Sequence, residues 1–259
     1  MMSILFNEIV FGPVRSRRLG TSLGINLSPV DGKLCNFNCI YCECGWNEDN
    51  KPESFGFHTK SEIKEALDKK LAKMAESDEY PDSITFSGNG EPTMHPDFAG
   101  IMNDVISLRD RYTPAALVSV LSNATLIHKT KVFNALKKAD RAILKLDSGI
   151  DETIAIINCP QGTYSVKRII ENLKSFDGNM ILQTMFLRGE YNNQLIDNTT
   201  DREIAAWLNA VTEINPKEIM IYGIDRATPA KNLQKISRNE LEQIAIKATL
   251  LGYNVKVSG

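Results

Sequence analysis

Short apolar runs punctuate the chain: "LGINLS" (23–28), "SITFSG" (83–88), "ALVSVLSN" (116–123), "RAILKLD" (141–147), "MILQTMF" (180–186), "EIMIYGI" (218–224) and "YNVKVS" (253–258). Each is rich in Ile, Leu and Val, as the strands of a buried parallel sheet are. Amphipathic stretches lie between them, several with readable starts. Thr59 with Glu62 forms a capping-box pattern before Ile63, Leu67, Leu71 and Met74. Thr200 with Glu203 does the same before Ile204, Leu208 and Val211. Ser237 with Glu240 leads into Leu241, Ile244, Ala248 and Leu251, with Gly252 as the stop. Val166, Ile169, Ile170 and Leu173 mark a further apolar helix face.

Each strand–helix unit takes roughly 25–40 residues, the length of a right-handed crossover. The pattern predicts an α/β fold, a partial (β/α)6 barrel of the TIM type with room for an extra terminal strand, or a full barrel short of one unit. Residues 1–259 are read as one core domain, with about the first 22 residues as a lid or extension. In such folds function sits at the C-terminal ends of the strands. Polar residues gather there: Ser87 and Gly88, Ser122 and Asn123, Lys145 and Asp147, Gln183 and Thr184, Tyr222 and Gly223. Core strands do not need these types, whereas a ring of loops around one ligand does.

Composition narrows the class. The chain is 42% hydrophobic and 24% charged, enough for a sizeable core. Its apolar runs fall far short of the roughly 20 residues of a membrane span. The start, "MMSILFNEIVFG", lacks the basic head and cleavage site of a signal peptide. A cytoplasmic monomer with reduced thiols is the expectation, and five cysteines, four of them clustered, then argue for metal rather than disulfides. A net charge of −2 does not favour a dedicated nucleic-acid binder. Arg15, Arg17 and Arg18 in "VRSRRLG" form either a solvated turn or a local anion site.

The chemistry concentrates in "LCNFNCIYCECG", residues 34–45. Thiolates are soft ligands that suit iron–sulfur clusters or zinc. A structural zinc site wants four ligands, which Cys35, Cys39, Cys42 and Cys44 could supply. The compact set Cys35, Cys39 and Cys42 could instead hold three irons of a 4Fe-4S cubane and leave the fourth open to a non-protein ligand.

CxxxCxxC with Tyr41 before the last cysteine resembles the radical S-adenosylmethionine (SAM) superfamily. The resemblance implies a 4Fe-4S cluster on Cys35, Cys39 and Cys42, SAM on the open iron, and hydrogen abstraction by a 5′-deoxyadenosyl radical. "SGNGEP" is similar to the superfamily's GGE motif, which implies that Gly88, Gly90 and Glu91 meet the SAM amino group, with Asn89 departing from the usual glycine. "LSN" resembles the ribose-contacting position and brings in Ser122 and Asn123. Lys145 and Asp147 either meet SAM or substrate or form an ion pair, Thr184 and Gln183 are further candidates, and Tyr222 opens "YGID", a candidate adenine contact. "GPVRSRRLGTSLGINLSP", "TFSGNGEPTMHPDF" and "IDRATP" resemble the group related to the wybutosine-synthesis enzymes of tRNA. Those that join pyruvate to a guanine use a second three-cysteine cluster, for which only Cys44 and Cys159 remain here.

The implied partners are an electron donor such as flavodoxin or ferredoxin, and a substrate that is an RNA base, a small anionic metabolite or a polypeptide. A non-catalytic zinc module and an activating enzyme for another protein are the competing readings. His95 and Trp46 are read either as site residues or as packing, and Cys44 and Cys159 as bystanders.

Overall fold

The computed structural model describes residues 4–16, 19–53 and 56–258. The first half runs β1 (Val10–Ser16), β2 (Gly20–Ile25), α1 (Lys60–Glu76), β3 (Ser83–Phe86), a 3-10 turn (Pro92–Met94), α2 (Phe98–Tyr112), β4 (Leu117–Ser122), α3 (Thr130–Leu136) and β5 (Arg141–Lys145). The second half runs α4 (Asp151–Ile157), α5 (Val166–Lys174), β6 (Ile181–Met185), β7 (Leu187–Tyr191), β8 (Gln194–Asp197), α6 (Asp201–Ile214), β9 (Glu218–Tyr222), β10 (Asn232–Lys235), α7 (Arg238–Thr249) and β11 (Val255–Ser258).

All the apolar runs become strands. β2, β3, β4, β5, β6, β9 and β11 lie side by side in that order, every pair parallel. β1 adds an antiparallel edge against β2, giving eight strands. Among the described residues the sheet does not close, so the fold is a partial barrel with the extra terminal strand β11.

Strand alternation divides the sheet into two faces. Ile84, Phe86, Val118, Val120, Leu144 and Leu182 pack with Ile63 and Leu67 of α1, Phe98 and Ile101 of α2, and Trp207 of α6. Each such fully buried side chain stabilises the layer by roughly 1.5–3 kcal/mol. The opposite face carries a small apolar floor of Leu19, Ile143, Ile181 and Met220.

The capping boxes of α1 and α7 form as expected, with reciprocal bonds between Thr59 and Glu62 and between Ser237 and Glu240. That of α6 is only half made. Thr200 accepts from Glu203 N at 3.4 Å, but the Glu203 carboxylate turns inward and accepts from Ser148 Oγ (2.6 Å) and Thr153 Oγ1 (2.5 Å). Leu251 lies beyond the end of α7 and is 54% exposed, so it does not extend the buried face.

Residues 10–16 of the expected lid or extension form the edge strand β1. A second, antiparallel sheet, β10-β7-β8, has no counterpart in the sequence reading. Its β7–β8 turn is built on Asn192 and Asn193 at φ 50 and 60, the left-handed pair that a tight two-residue hairpin needs. No helix among the described residues is long and apolar enough to cross a membrane.

Candidate cluster and cofactor site

The cysteine loop follows β2 and is fastened on two sides. On one, Leu34 N donates to Asn89 O at 2.9 Å, and Glu91 N donates to Leu34 O at 2.9 Å. Gly90 makes this approach achievable: its φ is +139°, and a Cβ there would stand 1.8 Å from Leu34 O. On the other side, Ile40 N donates to Ile157 O (3.0 Å), and Ala230 N donates to Ile40 O (3.1 Å). The apolar residues between the cysteines serve as the anchor. Phe37, Ile40 and Tyr41 pack with Ile157, Met185, Leu187, Ile196 and Ala230, so the small second sheet buttresses the loop.

Cys39 is buried, and Cys35 and Cys42 are half-buried. Burial pushes the Cys35 thiol up, with Cys39 and Glu91 adding to it. Burial, then the neighbouring Cys42, pushes Cys39 up to about 12. Cys42 moves the other way, to about 6, because Cys44 hydrogen-bonds it and Lys33 lies near. Asn158 Nδ2 donates to Cys39 Sγ at 3.4 Å, and Phe37 N donates to Cys35 Sγ at 3.4 Å.

Glu91 is buried and heavily engaged. Its Oε1 accepts from Thr93 N (3.0 Å), Thr93 Oγ1 (2.5 Å) and Ser122 Oγ (2.8 Å), and its Oε2 accepts from Asn123 N (2.7 Å). Burial raises its pKa, and these donors only partly offset the shift. The carboxylate therefore locks β4's end against the turn after β3. Asn123 in turn donates to Asn36 Oδ1 at 2.7 Å, beside Cys35. Asn89, the departure from the glycine motif, bonds Phe6 O (2.9 Å) and Pro29 O (3.0 Å) and fastens the N-terminal segment.

A second buried network surrounds Asp147. Its carboxylate accepts from Tyr41 Oη, from Asn158 Nδ2 at 2.7 Å and from Met185 N at 2.8 Å. Lys145 stands 3.5 Å away and donates to Tyr222 Oη at 2.6 Å. Burial pulls the Lys145 pKa down, but Asp147 and then Tyr222 outweigh it and leave the ammonium firmly charged. The ion pair expected as an alternative to ligand contact is thus present. It ties β5 to Tyr41 and, through Asn158, to Cys39.

Thr184 is fully buried, and its hydroxyl donates to Leu146 O (2.7 Å) and accepts from Trp207 Nε1 (2.9 Å), which turns it toward the helix-facing layer. Its neighbour Gln183 alternates to the other face, pairs in register with Lys145, and keeps a buried Nε2 without a partner among the described residues. Both ring nitrogens of His95 are engaged: its Nε2 meets His58 O at 2.7 Å, and its Nδ1 accepts from Asp97 N at 3.0 Å. Trp46 stacks on Tyr191 with centroids 5.7 Å apart. Cys44 donates to Gly88 O at 3.5 Å, and Cys159 to Ile156 O at 3.1 Å. Arg15 is exposed on β1, while Arg17 and Arg18 lie outside the described residues. Lys33 and Asn158 also reach the cysteine loop, at Gly45 O and Cys39 Sγ, and sequence reasoning missed both. Only their nearness to Cys35 and Cys159 in sequence signalled them.

The donor set fits an iron–sulfur cluster. Three soft thiols share one anchored loop, and a buried ammonium stands beside them. A structural zinc would need four such ligands gathered on one ion. A cubane instead spreads its thiolates over separate irons.

The family model described as the radical SAM superfamily matches residues 30–202. A Brachyspira hyodysenteriae protein named GTPase Obg is 28% identical over 245 residues, covering 93% of this chain and 33% of that protein. A UPF0026 protein of Methanocaldococcus jannaschii is 34% identical over 184 residues, covering 69% of this chain and 54% of its own length. The chain thus spans about a third and about half of these curated relatives. Among solved structures, Streptococcus suis SuiB bound to S-adenosylmethionine superposes with a TM-score of 0.63 at 15% identity, covering 91% of this chain and 50% of that one. An identity that low speaks for the fold alone.

Proposed function

Because this chain belongs to the radical SAM superfamily, we propose that Cys35, Cys39 and Cys42 hold one 4Fe-4S cluster and that SAM binds among the strand ends beside them. When bound, the cluster, reduced by an external donor, would pass one electron to SAM and break a sulfonium C–S bond, releasing methionine and the 5′-deoxyadenosyl radical that abstracts hydrogen. The chain's own residues position and enclose. The backbone of Gly88 to Gly90 offers close approach for the SAM amino group, and Glu91 keeps that turn, Ser122 and Asn123 in place. Asp147 orients Tyr41 and keeps Lys145 charged at the edge of the site. Gln183 brings an unsatisfied donor to the same face, suited to a carbonyl or hydroxyl oxygen of a bound molecule. Phe37, Ile40 and Met185 exclude water from behind the loop.

The observation that carries this reading is the stitching of Leu34 to Asn89 and Glu91, which joins the thiol loop to the GNGEP turn. Anaerobic reconstitution tests it. The chain should turn brown and, once reduced, convert SAM to 5′-deoxyadenosine. A colourless protein carrying one zinc and making no nucleoside would establish the metal-binding module instead.

Beside the loop, a cavity of about 570 Å3 is lined by Trp46, Glu48, Glu190, Tyr191 and Lys231 among others. Two carboxylates against one ammonium repel a phosphate backbone. Of RNA, a small anion and a polypeptide, this lining suits a polypeptide best, which also fits an activating role toward a partner protein. Stimulation of SAM turnover by tRNA would favour the RNA reading and the wybutosine-related subgroup. A flavodoxin or ferredoxin supplies the electron.

A further inference from the structure

We propose that Lys33 is the built-in counter-charge of the cluster, a positioning residue that closes the thiol loop and raises the reduction potential of the metal within it. The inference rests on the cluster reading above. Lys33 is only 3% exposed. Its ammonium donates to Gly45 O at 2.7 Å, joining the residues that flank the cysteine run. Its backbone N donates to Asn50 O at 2.7 Å, which pins the same segment a second time.

Among the described residues no carboxylate forms an ion pair with Lys33. Taking an ammonium this far out of water is costly. Its place is set by geometry: Gly45, whose carbonyl it holds, donates its own N–H to Cys42 O at 2.9 Å, so the charge is fixed across the loop that carries the three cysteines. Reduction adds one more negative charge at the same place. A fixed cation in a low-dielectric setting stabilises the reduced cluster more than the oxidised one and so shifts the couple upward.

The test uses the full chain, reconstituted anaerobically and titrated by electron paramagnetic resonance without SAM. Lys33→Met keeps most of the stem and removes the charge, and its midpoint should fall below that of the wild type. Lys33→Arg keeps the charge and should titrate close to the wild type. A Met variant with an unmoved midpoint or an Arg variant shifted as far as Met would overturn the proposal. If Lys33→Met takes up no iron, Lys33→Gln is titrated in its place. Loss of iron from the Arg variant together with both neutral ones would also count against the charge. A wild type that binds no cluster would sink the functional reading itself, whereas a loaded wild type with unmoved variants would sink only the role of Lys33.

Discussion

Thr184 and Gln183 are neighbours on one strand, and the run "MILQTMF" does not say which faces the ligand. Strand phase decides it, and phase becomes visible only when Trp207, far along the chain, donates to Thr184. Thr184→Val should therefore cost roughly 1–3 kcal/mol by leaving the buried indole N–H unpaired, with little change in SAM turnover. Gln183→Leu should do the reverse, weakening SAM turnover at nearly unchanged melting temperature. Paired melts and nucleoside assays separate the two. Asp147 was visible as a strand-end carboxylate, but its partners Tyr41, Asn158 and Met185 N come from three other segments. Asp147→Asn strips a buried lysine of its anion and should destabilise by about 3–5 kcal/mol, read by denaturant titration. Asn158 went unseen because its contacts to Cys39 and Asp147 form only across distant segments of the fold.

The elements were legible where local signals were strong. Continuous apolar runs marked the parallel strands, and the Thr59–Glu62 and Ser237–Glu240 boxes marked two helix starts. The β7–β8 hairpin was not legible, because "LRGEYNNQLID" is short, polar and half-exposed; only its Asn-Asn pair hinted at the turn. Glu203 broke the capping pattern because tertiary partners at Ser148 and Thr153 outbid the helix's own N-terminus. Where the box does form, pH should reveal it. Glu240 is held down to about 2 from 4.5, first by the Ser237 hydroxyl and then by Ser237 N and Arg188. A depressed carboxylate stabilises the folded state above its usual pKa and loses that effect as pH falls through the folded value. The difference in melting temperature between wild type and Glu240→Ala should thus hold steady above about pH 4.5 and narrow toward pH 2. Gly90 tests the joint between loop and strand. With φ at +139° and Leu34 O in the place of a Cβ, Gly90→Ala should push the two segments apart, and iron bound per chain should fall several-fold.

At the scale of the whole molecule, a partial barrel supplies the ring and the thiol loop supplies the chemistry. The second sheet packs behind Phe37, Ile40 and Tyr41, so the loop is backed by structure on the side away from the GNGEP turn. Sequence spacing put forward Cys35, Cys39 and Cys42, which lie on one anchored loop. It did not identify the buried lysine and amide that surround them, because those contacts depend on packing between distant segments. The most direct test compares reconstituted wild type with Cys39→Ser, using Cys44→Ser as the control, for iron, sulfide and reductant-dependent 5′-deoxyadenosine. The account predicts a brown, SAM-cleaving wild type, a Cys44 variant that still holds its cluster, and a Cys39 variant that loses both pigment and nucleoside formation. A Cys39→Ser protein that keeps wild-type iron and makes 5′-deoxyadenosine at the wild-type rate would contradict it.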